Sequence, residues 1–345
     1  MALALALGRR GRGRTGANPA VGCALVRDGR VVGRGWTADG GRPHAEAVAL
    51  AGADARGATA YVTLEPCAHH GRGGPCADAL VAAGVARVVV AVGDPDPRTN
   101  GAGVARLRAA GVEVTLGVGE AEARADLAGF LRRVVGGRPW VTLKLAASLD
   151  GRIATGSGES RWITGPLARL EVHRLRGVHD AVLVGGGTAR ADDPRLDVRG
   201  FGDRPQPVRV VLSRGLDLPR GGHLARTARD QSLWLLHGAG AEAGPWEALG
   251  ARCLDVPGDL GGALAVLGRE GVNRVLCEGG GVLAAGLLAG GLVDELLVFH
   301  AGLAIGAEGT PMLGAMGLER LADAPRLRLA EARAVGPDAL SRWLP

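Results

Sequence analysis

The feature that most constrains this chain is a set of three metal-ligand side chains divided between two segments. His44 lies in the first segment, and Cys67 and Cys76 follow with eight residues between them. An imidazole and two thiolates are typical zinc ligands, and they must meet at one point to bind an ion. Residues 61–64 read as a buried strand that ends before Cys67, and residues 45–51 as a helix that begins after His44. The pattern therefore predicts a metal site between a strand end and a helix start.

The residue types also indicate a reaction. Three protein ligands leave the fourth corner of a tetrahedral zinc to a water that loses a proton near neutral pH. The resulting hydroxide can attack an amidine carbon, provided that the departing ammonia is protonated. Glu46 stands two residues after His44 and supplies a carboxylate that can carry this proton without binding the metal. The pattern is typical of zinc-dependent nucleobase deaminases, although their second cysteine usually follows at a C-x-x-C spacing.

Other interpretations of these residues stay open at this point. The two cysteines can be ordinary buried thiols, and Glu46 can be a carboxylate at the positive end of a helix. His69 and His70 are alternative zinc ligands, but adjacent residues on a glycine-rich loop rarely both face one ion. We therefore expect both histidines to belong to a substrate loop.

Length and composition exclude several classes of protein. At 345 residues the chain is long enough for two domains. The net charge of +6 would suit nucleic acid, but the arginines are spread along the chain and aromatic residues make up only 3%. We therefore expect a phosphorylated small-molecule partner, and neither nucleic acid nor membrane. Five cysteines without disulfide-like spacing, and no signal-peptide pattern over residues 1–7, favour the cytoplasm.

Lys144 stands out among the basic residues. It is the only lysine among 41 basic positions, all the others being arginine. A compact ammonium with rotatable donors is not replaced by a planar guanidinium in a tight site, so Lys144 is a candidate functional residue. Asn18, one of three asparagines, is a weaker candidate for the same reason.

The order of predicted elements indicates an α/β protein in two parts. Two strands at 21–26 and 30–36 flank Asp28-Gly29, a strong hairpin signal. Strands at 59–64, 88–92 and 112–116 then alternate with helices at 77–83, 102–110 and 120–132, and a linker is predicted at 136–139. In the second part, strands are predicted at 141–146, 180–184, 208–212, 233–236, 273–277 and 294–299. Glycine-rich turns at 184–188 and 278–281 follow two of them, and such turns either bind phosphates or are simply tight.

Several longer motifs resemble the bifunctional deaminase and reductase of riboflavin biosynthesis. They cover residues 18–22, 44–46, 63–72, 75–76, 144–151, 157–164, 191–194 and 278–280. The spacing of the two cysteines is that family's form, and the resemblance extends over nearly the whole chain.

The resemblance implies two consecutive reactions. A cytidine-deaminase-like α/β/α sandwich over 1–137 would use zinc to remove the 2-amino group of 2,5-diamino-6-ribosylamino-4(3H)-pyrimidinone 5′-phosphate. A dihydrofolate-reductase-like α/β domain over 138–345 would then use NADPH to reduce the ribosyl group, giving 5-amino-6-(5-phosphoribitylamino)uracil. Whether the chain forms a homo-oligomer stays open.

The resemblance also implies roles for particular residues. Zinc would be held by His44, Cys67 and Cys76, with Glu46 transferring protons. Substrate contacts would come from Ser160, Arg176, Leu196, Arg199 and Glu278. Cofactor contacts would come from Ala146, Trp162, Thr188, Asp192, Ser213, Gly280, Gly281, Val282, Leu283, Ala284, Ala285 and Gly286. Lys144 and Asp150 are expected to order the reducing end of the substrate.

Two other functions compete with this one. One is a nucleoside or tRNA adenosine deaminase with an unrelated C-terminal domain, which the shorter C-x-x-C spacing would favour. The other is a non-catalytic zinc-stapled scaffold or RNA-binding module, which would need a fourth protein ligand. Neither feature is evident in the sequence. The segment before Asn18 is short and rich in alanine and leucine, so we expect the first methionine to lie inside the family's first helix.

Overall fold

The computed structural model describes residues 1–71 and 73–345, and the chain divides into two compact units. The first unit comprises Met1–Arg138 with Glu270–Asn273, and the second comprises Pro139–Arg269 with Arg274–Pro345. Arg72, the last residue of the 63–72 motif, lies outside the described residues. Over the described ranges, none of the helices has the length and apolar character needed to cross a membrane.

The first unit is a five-stranded sheet with helices packed against it. Its elements are α1 (Ala2–Arg9), β1 (Gly22–Arg27), β2 (Arg30–Trp36), α2 (Ala45–Leu50), β3 (Thr59–Leu64), α3 (Cys76–Ala82), β4 (Arg87–Val92), α4 (Ala102–Ala109), β5 (Glu113–Leu116), α5 (Glu120–Asp126) and α6 (Ala128–Gly136). The strand order is β2-β1-β3-β4-β5. β1 runs antiparallel to β2 and β3, whereas β3, β4 and β5 are parallel.

The hairpin at the start of this sheet is the one predicted from the sequence. Asp28 and Gly29 have φ angles of 51° and 70°, and positive φ at both central residues matches the twist of the flanking strands. Strand β4 lies inside the sheet and is buried along almost its whole length, as expected for a parallel strand covered on both faces.

Two glycines let helix α2 lie directly on strand β2. A Cβ atom on Gly33 would lie 2.3 Å from the carbonyl oxygen of Ala49, and one on Gly35 would lie 2.4 Å from that of Ala45. Both glycines face the helix because alternate strand residues point to the same side of a sheet. The backbones of helix and strand are therefore in contact, and this contact fixes the height of α2 above the sheet.

The second unit is built on a nine-stranded sheet. Its elements are β6 (Trp140–Ser148), β7 (Arg152–Ala154), α7 (Pro166–Arg176), β8 (Ala181–Gly185), α8 (Gly186–Asp192), β9 (Val208–Leu212), α9 (His223–Arg226), β10 (Leu233–His237), α10 (Gly244–Ala248), β11 (Arg252–Asp255), α11 (Leu260–Arg269), β12 (Arg274–Cys277), α12 (Gly281–Ala289), β13 (Glu295–Ala301), β14 (Thr310–Pro311), β15 (Arg328–Val335) and β16 (Asp338–Leu344). The strand order is β11-β10-β9-β8-β12-β6-β13-β16-β15, and β7 pairs separately with β14.

The two glycine-rich turns lie side by side in this sheet. The strands before them, β8 and β12, are parallel neighbours. Helix α8 begins at Gly186, within the predicted turn 184–188, and helix α12 begins at Gly281, the last residue of the turn 278–281. A Cβ atom on Gly279 would lie 2.9 Å from the backbone nitrogen of Gly185, so the turns are in contact. Carboxyl ends of parallel strands are where α/β sheets bind ligands.

Some elements of the structure differ from those predicted from the sequence. The predicted helix at 120–132 is two helices, because the backbone of buried Leu127 (φ −92°, ψ 4°) leaves the helical conformation between α5 and α6. The predicted linker at 136–139 starts inside α6, and Gly137 ends that helix with a φ of 69°. The C-terminal hairpin of β15 and β16 was not predicted, since β15 is exposed at every position but Val335 and consists mainly of alanine, arginine and glutamate, which favour helix over strand.

We predict that Gly35→Ala weakens the first unit. The added methyl would meet the Ala45 carbonyl oxygen 2.4 Å away, so α2 would have to move, at a cost of about 2 kcal/mol or more. Urea unfolding should show a lower midpoint, and bound zinc should fall as well. Gly136→Ala is the matched control, because its methyl makes ordinary contacts, the nearest being 3.6 Å away. Equal stability of the two variants would contradict this account of the packing.

Candidate active sites

The three predicted metal ligands meet in the first unit. His44 immediately precedes α2, Cys67 follows the end of β3, and Cys76 is the first residue of α3. His44 Nδ1 lies 3.7 Å from Cys67 Sγ and 3.4 Å from Cys76 Sγ, and all three ligand atoms lie within 4.8 Å of one another. The three side chains thus meet between a strand end and two helix starts, where the sequence predicts a strand end and one helix start.

These separations fit a zinc ion. For Zn–S and Zn–N bonds of about 2.3 and 2.1 Å, a tetrahedron places sulfur and nitrogen about 3.6 Å apart. The observed distances fall on either side of that value. In the described part of the chain, the cluster of candidate ligands includes neither His69 nor His70. The set of one imidazole and two thiols thus leaves one tetrahedral corner open.

The thiols of Cys67 and Cys76 are hydrogen-bonded to each other. Hydrogen bonds from Cys76 and His44 lower the pKa of Cys67 to about 4, whereas the contact with Cys67 and burial raise the pKa of Cys76. The backbone N–H of Cys76 also donates to Cys67 Sγ at 3.3 Å. Cys67 is therefore the first thiolate of the pair, and a bound dication would deprotonate the second.

Glu46 is buried beside the metal ligands. Only 4% of its surface is exposed. Burial raises the pKa of Glu46 to about 7, while its own backbone N–H and His44 oppose the rise. A carboxyl group with a pKa near the working pH can both accept and return a proton, as the sequence analysis requires of this residue.

Glu65 holds the neighbouring loop in place, a role that the sequence analysis missed. Its Oε2 atom accepts hydrogen bonds from the backbone N–H groups of Asp94 (3.2 Å) and Gly101 (3.0 Å), and Oε1 accepts one from Val104 (3.1 Å). The only signal in the sequence was an acidic residue directly before Pro66, at the end of an apolar strand. Glu65 thereby ties the strand that leads to Cys67 to the loop after β4.

A cavity of about 240 Å³ opens beside the metal ligands. Its polar lining includes Asn18, Arg42, His69, Asp94 and Arg98. The sequence analysis singled out Asn18 and His69 but not Asp94. Burial raises the pKa of Asp94 to about 6. Asp94 could have been identified from its position after a predicted parallel strand, because ligand-binding residues often follow the carboxyl ends of parallel strands.

The second unit has a larger cavity of about 670 Å³. It brings together ten residues predicted for the reductase half: Lys144, Ala146, Ser160, Trp162, Arg176, Thr188, Asp192, Leu196, Arg199 and Glu278. They come from β6, α7 and α8, from the loops that precede α7 and follow α8, and from the turn after β12. Leu196 is almost fully buried, so a ligand would contact mainly its backbone.

Arg176 and Glu278 bind each other inside this cavity. Nε and Nη2 of Arg176 donate to the two carboxylate oxygens of Glu278 at 2.6 and 2.9 Å, and both side chains are largely buried. Lys144 lies near this pair, with its ammonium 6.0 Å from the centre of the Phe299 ring. Burial lowers the pKa of Lys144, and the charge of Glu278 partly offsets this effect.

Some predicted residues have other surroundings. Asp150 accepts hydrogen bonds from Ser148 Oγ (2.6 Å), Ile305 N (3.1 Å) and Gly306 N (2.7 Å). These contacts lower the pKa of Asp150 and give its carboxylate a role in holding a loop. The expected action beside Lys144 therefore has no support, because Asp150 is absent from the described cavity lining.

The stretch 280–286 is only partly available to a cofactor. Gly280 N donates to Thr188 Oγ1 at 2.9 Å, which joins the second glycine-rich turn to α8. Val282 is exposed, but the side chains of Leu283, Ala284 and Ala285 are buried in α12. Ser213 is also buried and donates to Asp217. The accessible part of the stretch is thus its glycine-rich start, a cradle suited to the phosphates of a dinucleotide.

Comparison with known proteins places both units. Residues 1–92 match the cytidine and deoxycytidylate deaminase zinc-binding region, and residues 139–341 match the RibD C-terminal domain. The riboflavin biosynthesis protein RibD of Escherichia coli (strain K12) is 43% identical, over 98% of this chain and 96% of its own. Acinetobacter baumannii RibD superposes with a TM-score of 0.92 at 38% identity, over 99% of this chain and 96% of its own.

A Thermotoga maritima structure gives a similar result. It is described as a diaminohydroxyphosphoribosylaminopyrimidine deaminase/5-amino-6-(5-phosphoribosylamino)uracil reductase. It superposes with a TM-score of 0.89 at 33% identity, over 99% of this chain and 96% of its own. The match to residues 139–341 excludes the alternative of an unrelated C-terminal domain.

We predict that Cys76→Ala removes the metal and His69→Ala does not. Loss of one of three ligands leaves too few donors to hold zinc in the first unit, so zinc per chain in Cys76→Ala should fall to about a tenth of the unsubstituted level. His69 lies in the cavity, but its ring contacts Thr99 Oγ1 at 3.3 Å. Elemental analysis after dialysis measures both. Zinc loss in His69→Ala would show that the ligand set is wrong.

Proposed function

Because the chain belongs to the RibD family of bifunctional riboflavin-biosynthesis enzymes, we propose that its two cavities carry out the family's two reactions in succession. Residues 1–137 would form the deaminase and residues 138–345 the reductase. The observation that carries the proposal is the pairing of an open three-ligand zinc geometry with buried Glu46 in the first unit. The second cavity, lined by Lys144, Arg176 and Glu278, supports the second reaction.

In the deaminase, His44, Cys67 and Cys76 would hold zinc. When bound, zinc acidifies a water so that it can act as a nucleophile near neutral pH. Glu46 takes the proton of the attacking water and delivers it to the leaving amino group, because its carboxyl is buried beside the ligands and has a pKa near 7. Asn18 and Asp94 line the cavity and would orient the pyrimidine by hydrogen bonds.

In the reductase, hydride addition to C1′ of the ribose must be matched by a proton on the ring oxygen as their bond breaks. NADPH supplies the hydride when bound. Lys144 is the proposed proton donor, because burial lowers the pKa of its ammonium and makes the proton easier to give up. Glu278, held by Arg176, keeps a negative charge near the ammonium and would accept hydrogen bonds from ribose hydroxyls.

Other predicted residues would bind the two ligands of this site. Arg199 and Ser160 line the cavity and suit the substrate phosphate. Trp162, with Arg169 stacked 4.5 Å from its ring centre, and Thr188 beside the glycine-rich turns would bind NADPH. These turns offer backbone N–H groups to its phosphates.

We also propose where the enzyme is located and what kind of substrate it takes. The described cysteines are all free thiols, and Cys67 and Cys76 must remain reduced to bind zinc, so a cytoplasmic location fits the site. The cavity of the second unit, about 670 Å³, has the size of a small-molecule site and that of the first unit, about 240 Å³, is smaller still, which favours a free phosphorylated pyrimidine over nucleic acid as substrate. Self-association is compatible with the proposal and is not required by it.

Mass spectrometry of the products of the diamino-ribosylamino-pyrimidinone phosphate tests the function. We expect exchange of an amino for an oxo group without cofactor, and a further gain of two hydrogens with NADPH. Glu46→Gln should retain zinc but slow deamination at least about a hundredfold, while still reducing the deaminated intermediate. Zinc loss in this variant would identify Glu46 as a ligand, and unchanged substrate with the native chain would refute the proposed function.

Lys144→Arg tests the second reaction separately. A guanidinium keeps the positive charge but cannot release a proton at neutral pH, so NADPH oxidation with the deaminated substrate should fall at least about a hundredfold. Deamination and the NADPH dissociation constant should stay unchanged, which controls for folding. Normal turnover in Lys144→Arg would rule out proton donation by Lys144.

A further inference from the structure

His173 lies in the reductase cavity and has no role in the reaction as described so far. It stands on α7 three residues before Arg176, so both side chains are on the same face of the helix. The imidazole is half-buried and lines the cavity together with Arg176, Arg199 and Glu278.

The contacts of the imidazole define its protonation state. Nδ1 lies 3.1 Å from the carbonyl oxygen of Asp197, and Nε2 lies 3.4 Å from Nη2 of Arg199. The Asp197 oxygen accepts a hydrogen bond from Nη1 of Arg176 at 2.9 Å and has a second lone pair for a hydrogen on Nδ1, while the guanidinium of Arg199 needs an acceptor at Nε2. Only the neutral tautomer with its hydrogen on Nδ1 satisfies both. The other neutral tautomer serves only the longer contact of 3.3 Å from the Arg199 backbone N–H to Nδ1.

The charged groups around His173 favour the neutral ring. Burial lowers its pKa, and Arg176 on the same helix and Arg199 on the loop after α8 lower it further, while Asp197 opposes them. Glu278, on the turn after β12, is already paired with Arg176. A second hydrogen on the ring would place Nε2–H against the guanidinium of Arg199.

Arg199 has a second anchor. Its Nε atom lies 3.3 Å from Oδ1 of Asp197, and its side chain is 56% exposed. A long exposed side chain samples many rotamers unless its polar end is held. The carboxylate of Asp197 attracts the guanidinium, but its Oδ1 atom accepts no hydrogen bond from the described residues, so the contact with the ring of His173 is the directional one. The remaining N–H groups stay available to an oxyanion.

We propose that His173, as the Nδ1–H tautomer, is a positioning residue that orients Arg199 toward the 5′-phosphate of the reductase substrate. This inference rests on the proposed function, in which Arg199 binds that phosphate. The contacts from the Asp197 carbonyl to the imidazole, and from the imidazole to the guanidinium, hold the side chain of Arg199 in its orientation before the substrate binds. It therefore acts on substrate binding and leaves the hydride and proton transfers unchanged.

Two substitutions of His173 distinguish the roles of its two ring nitrogens. Glutamine can present an acceptor near the position of Nε2, whereas asparagine can replace the Nδ1 donor but does not reach Arg199. We therefore expect His173→Asn to raise KM for the phosphorylated substrate about tenfold, with kcat nearly unchanged. His173→Gln should stay close to the native enzyme. Steady-state NADPH oxidation gives both constants, and the 5′-dephosphorylated substrate should show little change in KM with either variant.

Arg199→Ala distinguishes the failure of this inference from the failure of the proposed function. If Arg199→Ala leaves the preference for the phosphorylated substrate intact, the proposed phosphate contact is wrong and the inference fails with it. If Arg199→Ala abolishes the preference but His173→Asn keeps it, only the inference is overturned. The dissociation constant of NADPH reports on folding. A loss of NADPH binding or of kcat in His173→Asn that matches the KM change would assign His173 to the fold and overturn the proposal.

Discussion

The metal centre depends on how closely helix α2 approaches strand β2. His44 and Glu46 stand at the start of that helix, so their height above the sheet is set where Gly33 and Gly35 meet the Ala49 and Ala45 carbonyls. Side chains at those strand positions would lift the helix and carry the imidazole away from Cys67 and Cys76. Backbone contact is stiffer than side-chain packing, because it cannot relax by changing rotamers. This stiffness suits a site that must hold three atoms at zinc-binding distances.

The elements that position the metal centre could be predicted from the sequence because their signals are local. The Asp28-Gly29 turn, the apolar run before Glu65 and the helix after His44 are each set by residues close together in the chain. Strands 59–64 and 208–212 have the predicted bounds. The exposed hairpin at the C-terminus could not be found in this way, because β15 is exposed at every position but Val335 and its alanines, arginines and lone glutamate are residues that favour helix over strand.

Side-chain partners over long sequence distances were beyond the sequence analysis. Glu65 bonds to backbone groups up to 39 residues away, and Arg176 pairs with Glu278 across 102 residues. A motif can mark such residues as important, but it cannot show which of them form hydrogen bonds or ion pairs with each other. The stretch 280–286 shows the same limit, since its buried half was separated from its accessible half only when α12 was placed against the core.

The arginine-rich composition explains why the reductase cavity contains so many paired side chains. A guanidinium is planar and binds directionally, so each arginine in the cavity needs a neighbour that sets its plane. Glu278 does this for Arg176, Asp197 for Arg195, and Trp162 for Arg169. An ammonium has no plane to set and can lose its proton when buried. A cavity that orients charge with arginines thus still has a use for one lysine, which agrees with the proton transfer proposed for Lys144.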